Sequence, residues 1–156
     1  MKLIITVGLP GSGKSTYLAR LGVNAISSDE IRRLIADDAH DQTMNARIFS
    51  VIRYLVRQRF AAGRPITYVD ATHLTPWERQ PYLKLAQRYG CTLEALFFDI
   101  PVEVCIARNQ ARDRVVPDTA IRKMAEQMIP PSMDEGFALI VRITSDADRS
   151  TAVPDP

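Results

Sequence analysis

The sequence predicts an α/β protein, a central parallel sheet with helices on both faces. Three observations carry that prediction. An apolar run, Leu3 to Val7, ends in a glycine-rich turn that opens directly into a helical pattern. Further short apolar runs alternate with segments of helical periodicity, the pattern of crossover connections between parallel strands. Aspartates follow two of those runs, Asp29 and Asp70, and open α/β sheets gather their active groups at the carboxyl ends of strands. At 156 residues the chain has about the length of one domain. The expected division is a single domain over residues 1–144 and a polar, proline-bearing, mobile tail over 145–156.

Taken in order, the first strand is Lys2 to Val7 and the first helix starts at Lys14 and stops near Leu21, before Gly22. A short apolar stretch, Val23 to Ile26, reads as the second strand. Ser28 is the expected N-cap of the next helix, with Asp29 and Glu30 in its first turn, where carboxylates suit the helix dipole. Residues 37 to 43, which include His40, read as a polar loop. A long helix over about 44–62 follows, since Ile48, Val51, Ile52, Leu55 and Val56 recur at helical spacing. Arg53 and Arg57 share another, solvated face of it.

The third strand, Pro65 to Val69, ends at Asp70. The next helix has Pro76 at its first position, Thr75 as cap and Glu78 three residues on, and ends at Tyr89-Gly90. Trp77 and Tyr82 on this helix are read as packing residues. The fourth strand is Thr92 to Phe98. A helix from Pro101 to about Asn109 leads into a loop segment, Pro117 starts a helix to Met128, and Phe137 to Ile143 is the last strand.

Composition narrows the function classes. Hydrophobic residues make up 46% and charged residues 24%, the balance of a globular chain rather than a disordered one. A net charge of +2 does not by itself point to nucleic acid. Four lysines (Lys2, Lys14, Lys84, Lys123) leave 16 of the 20 basic residues as arginine, suited to phosphate recognition but equally a mark of a GC-rich genome. Cys91 and Cys105 form no framework or metal-binding pair, and reduced thiols fit a cytoplasmic protein. No apolar run approaches the length of a membrane span or a secretory leader, so no membrane partner is expected.

The chemistry starts at Gly8-Leu9-Pro10-Gly11-Ser12-Gly13-Lys14-Ser15-Thr16. This is G-x-x-x-x-G-K-S between a strand and a helix, the phosphate-binding P-loop. Its glycines let the backbone curl until successive N–H groups surround a phosphate at the positive end of the helix. Lys14 would reach the β- and γ-phosphates of a nucleoside triphosphate, and Ser15 would hold magnesium. Asp29, after an apolar segment, is the candidate base, its alternative role being to favour the helix dipole. Asp70, after a hydrophobic strand, resembles a Walker B acid that reaches magnesium directly or through water, or else is a strand-end cap. Arg108 and Arg112, four residues apart at a helix end, are candidates for a lid over the triphosphate, or else a solvated helix terminus. His40 and His73 lack partners at metal-ligand spacing.

Several stretches taken together resemble a known group. They are Gly8 to Thr16, Ser28-Asp29-Glu30-Ile31-Arg32, Asp70 to Arg79, Arg108-Asn109-Gln110-Ala111-Arg112, and Val116-Pro117. Over about residues 2–143 the chain is similar to the kinase domain of phage and bacterial polynucleotide 5′-kinases. The D-x-x-R and the R-N-x-x-R before V-P are the discriminating part. The resemblance implies a P-loop kinase fold with a helical lid and transfer of the γ-phosphate of ATP or GTP, with magnesium, to the 5′-hydroxyl end of DNA or RNA. It implies that Asp29 is the general base and that Arg32 engages the acceptor phosphate. It also implies that Arg112, with Arg108, clamps the donor phosphates and that Asp70 is the acid after the third strand. His73 departs from it, standing where relatives commonly carry asparagine. No D-x-D-x-T phosphatase motif is present. A kinase of a small-molecule alcohol or of charged tRNA, and a non-catalytic nucleotide-binding regulatory module, share the P-loop and stay open.

Overall fold

The computed structural model describes residues 1–38, 43–111 and 115–144. His40, Arg112 and the expected tail over 145–156 lie outside the described residues. The strands are β1 (Lys2–Val7), β2 (Ala25–Ser27), β3 (Ile66–Asp70), β4 (Thr92–Phe98) and β5 (Leu139–Ile143). The helices are α1 (Lys14–Arg20), α2 (Ser28–Ala36), α3 (Asn45–Ala61), α4 (Pro76–Tyr89), α5 (Val102–Asn109) and α6 (Asp118–Gln127). The strands form one sheet in the order β2-β3-β1-β4-β5, and every pairing is parallel.

Strand alternation explains the two layers of core. In β1, Leu3, Ile5 and Val7 face one side and pack with Ile48, Ile52 and Val56 of α3 and Tyr82 and Ala86 of α4. Ile4 faces the other side, with Tyr17 and Leu18 of α1, Cys105 and Ile106 of α5 and Ile121 of α6. β1 is buried on both faces, which is why it reads as an unbroken apolar run. The expected sheet with helices on both faces is therefore the one observed.

Some boundaries shift. β2 is later and shorter than the expected Val23–Ile26, because Ser27 still pairs with Asp70 of β3. Ser27, extended at φ −94° and ψ 128°, is then the cap of α2, its Oγ accepting from Glu30 N–H. The expected cap, Ser28, is the first helical residue. The capping box at Thr75 and Glu78 forms as expected. Trp77 does not pack: it is 80% exposed, while Arg79, two residues on and so on the opposite helix face, is fully buried. Tyr82 is buried as expected. The last strand begins at Leu139, Phe137 being a core residue ahead of it.

Candidate active site

The loop after β1 is shaped by backbone demands that only glycine meets. Gly11 has φ 80°, and a Cβ there would lie 2.2 Å from the Cys105 carbonyl oxygen of α5. Gly8 has φ 149° and a Cβ would meet Phe98 O at 2.9 Å. Gly13, at φ 94°, leads into α1. Lys14 is buried, its Nζ donating to Gly8 O at 2.9 Å and Leu9 O at 2.6 Å, with Ser12 Oγ at 3.4 Å. The ammonium is thus held inside the ring of the loop, at the amino end of α1. Thr16 is exposed on the first turn of that helix.

The acid after β3 meets this loop. Ser15 Oγ donates to Asp70 Oδ2 at 2.6 Å. Asp70 is itself set by Thr6, a residue the motif reading passes over. Thr6 Oγ1 accepts from Ala71 N–H at 3.1 Å, and lies 2.8 Å from Ala71 O and 3.3 Å from Asp70 Oδ1. A buried threonine on β1 therefore fixes the end of β3 beside it. The hydroxyl–carboxylate pair fits magnesium, a hard cation that takes one or two carboxylates plus substrate phosphates and keeps several waters. Ser15 and Asp70 are the residues that would hold it.

A cavity of about 580 Å³ opens over this pair. Pro10, Lys14, Ser15 and Asp70 form one wall, and Ser28, Asp29 and Arg32 of α2 form another. Arg32 is buried, and its Nη1 donates to Asp29 Oδ1 at 3.1 Å and its Nη2 to Asn45 Oδ1 at 2.7 Å. Asn45 and Phe49 bring α3 into the wall, and Val115, Val116 and Pro117 close the third side. Asp29, Arg32, Lys14, Ser15, Asp70 and Pro10 are thus brought together. Gly8, Gly11, Ser12 and Gly13 shape the loop without lining the cavity. Arg108 is half-buried near the end of α5 and does not line it.

Three further side chains hold the walls, and the motif reading gave none of them a role. Asn109, fully buried, accepts from Val116 N–H through Oδ1 at 3.1 Å and donates through Nδ2 to Val116 O at 2.7 Å. It returns the chain to the cavity after α5. The asparagine inside R-N-x-x-R was the available signal. Arg79 donates to both Glu135 oxygens at 2.9 and 2.7 Å, and through Nη1 to His73 O at 2.9 Å and Ile129 O at 3.1 Å. No local pattern announces a partner 56 positions away.

His73 is the third. Its Nδ1 lies 2.7 Å from the Thr6 carbonyl oxygen, and its ring meets Tyr82 edge-on with centroids 4.8 Å apart. It adopts φ 44°, in the left-handed region where asparagine is comfortable and most other side chains are not. Burial, opposed by the Thr6 bond, pushes its pKa down to about 4. The ring is therefore neutral near pH 7. Nδ1 carries the hydrogen, because a carbonyl only accepts.

Comparison with known proteins agrees with this geometry. The chain matches the AAA domain family over residues 3–131. It is similar to a chain of the Pnkp1/Rnl/Hen1 RNA repair complex at 27% identity, with a TM-score of 0.68, over 81% of this chain and 43% of that one. The present chain thus spans less than half of that relative. It shares its fold with a gluconokinase from Sinorhizobium meliloti 1021 (19% identity, TM-score 0.59, 98% of this chain and 84% of that one). It shares it also with the Mycobacterium tuberculosis APS kinase CysC, solved with AMPPNP and APS (22%, TM-score 0.58, 93% and 88%). Among the described residues no helix is long and apolar enough to cross a membrane. A P-loop on the central strand of a parallel 2-3-1-4-5 sheet, matched over most of its length, makes the chain a member of the AAA domain family with the nucleotide-binding fold of P-loop kinases.

Proposed function

We propose that the protein is a polynucleotide 5′-hydroxyl kinase, moving the γ-phosphate of ATP or GTP to the 5′-hydroxyl end of DNA or RNA. The observation that carries this reading is the placement of Asp29. It lines the same cavity as Lys14, Ser15 and Asp70, and its carboxylate is held by Arg32. The likeness to a chain of an RNA repair complex supports the same choice of acceptor.

In this reading the loop N–H groups and Lys14 bind the donor phosphates. A magnesium ion held by Ser15 and Asp70 would neutralise charge on the β- and γ-oxygens. Arg32 engages the acceptor phosphate and, with Asn45 behind it, orients the end of the strand. Asp29 takes the proton of the 5′-hydroxyl as its oxygen attacks the γ-phosphorus. The bond to the β–γ bridging oxygen breaks and the nucleoside diphosphate leaves. As the resemblance implies, Arg112 and Arg108 would clamp the donor phosphates. Reduced thiols and a nucleotide donor fit a cytoplasmic setting.

The test is transfer of label from γ-labelled ATP or GTP, with magnesium, to 5′-hydroxyl DNA and RNA oligonucleotides. Transfer is expected, and Lys14→Ala should impair both transfer and nucleotide binding. Absence of label on every oligonucleotide, with turnover of a sugar or another small alcohol instead, would replace this reading with the small-molecule one.

A further inference from the structure

The cavity takes only the end of an acceptor, and α3 runs away from its wall. Asn45 and Phe49 line the cavity, and Arg53 and Arg57 continue the same i, i+4 series along the helix. The 17 residues of α3 include four arginines and no carboxylate. Arg59 is consumed within the fold, donating to Thr67 Oγ1 at 3.2 Å and Ile66 O at 3.0 Å. Arg53 and Arg57 form no ion pair among the described residues. Arg57 instead lies over the Tyr54 ring, 5.9 Å from its centroid, and Tyr54 is about half exposed.

A half-exposed aromatic ring with a guanidinium over it, on a helix without negative charge, matches the bases and phosphates of a nucleic acid strand. Stacking of bases on aromatic rings, alongside phosphates on arginines, is how single strands are held without sequence preference. From Phe49 to Arg57 the helix rises about 12 Å, room for roughly three nucleotides. A small-molecule acceptor would have no use for this surface.

We infer that Arg53, Tyr54 and Arg57 of α3 form the track for the acceptor strand beyond its reacting 5′ end, and that it accepts single-stranded nucleic acid of either sugar through phosphates and stacked bases. The inference rests on the polynucleotide kinase reading, and the test separates the two. Phosphorylation of a 5′-hydroxyl decanucleotide is compared with that of a nucleoside 3′-phosphate, which fills the cavity but does not reach the track. In the double variant Arg53→Gln, Arg57→Gln, KM for the decanucleotide should rise about tenfold, with kcat and all constants for the mononucleotide unchanged. The salt dependence of decanucleotide binding should weaken by about 1.4 in logarithmic slope, two phosphate contacts' worth. Lysine at both positions should restore most of the lost affinity. Both acceptors phosphorylated, with the decanucleotide constants and slope unmoved by the double variant, would overturn the track and leave the kinase reading standing. Neither acceptor phosphorylated by the unaltered protein would overturn both.

Discussion

Lys14 and Asp29 line one cavity from walls of opposite construction. Apart from Asp70 of β3, the donor wall comes from a contiguous stretch, Gly8 to Ser15, whose shape follows from glycine conformations and the start of α1. The acceptor wall is assembled from α2, α3 and the segment after residue 115, which meet only because of how the helices pack on the sheet. The first wall is made largely by local sterics, seated on α5 and β3, and the second by tertiary contacts. A change in the donor wall should therefore act on phosphate binding and on the fold together. One at Asp29, whose side chain is partly exposed, should act on transfer alone.

The largest effect sharpens that contrast. Asp29→Asn keeps an oxygen for Arg32 but cannot take a proton. Transfer should fall by about 10³-fold, the usual worth of a positioned base, with nucleotide affinity unchanged. Single-turnover assays and a fluorescent-nucleotide titration read the two separately. Equal loss in both would erase the distinction between the walls.

Gly11→Ala tests the donor wall. A Cβ 2.2 Å from Cys105 O adds overlap to an unfavourable φ, and the two should together cost about 4 kcal/mol of stability. Urea denaturation should show it as a lower midpoint, accompanied by weakened nucleotide binding. A stable, nucleotide-binding Gly11→Ala would mean that the loop does not depend on its seat against α5.

The smallest effect concerns His73, which lies under both walls. Its folded pKa of about 4 is below the ordinary 6.5. Between those values the unfolded chain binds a proton that the folded one refuses. The contribution is fully present above pH 6.5, falls as pH drops, and is lost below about 4, a span of about 3 kcal/mol. Denaturation midpoints across pH 4 to 7.5 should show the decline. His73→Asn, which suits the left-handed backbone and cannot titrate, should flatten it.

Legibility followed the range of each interaction. The P-loop, the capping box at Thr75 and the apolar periodicity of α3 are local patterns, so they could be read directly. The cap of α2 missed by one residue because two serines in tandem are equivalent until Ser27 pairs with Asp70. Trp77 looked like core because it is large and apolar. Its exposure follows from Arg79 taking the inward face to reach Glu135. Asp29 and Arg32 could be named from the chain, but their shared bond and the arrival of Asn45 could not.

By itself the sequence determined the sheet, the phosphate loop and the identity of the groups that handle a triphosphate, because strands, glycine turns and helix starts are set by neighbours along the chain. Only the tertiary structure decided that Asp29 comes to the same cavity as Lys14, that Thr6 steadies Asp70, and that Asn109 returns the chain to the mouth through Val116. The first two join residues brought side by side by burying the two faces of β1, and no local pattern encodes them; for the third, seven positions apart, the asparagine inside R-N-x-x-R was the one local signal. The glycine at position 11 belongs to both accounts. Its residue type is visible in the motif, and part of the reason for it, the carbonyl of Cys105 pressed against it, is visible only in the fold.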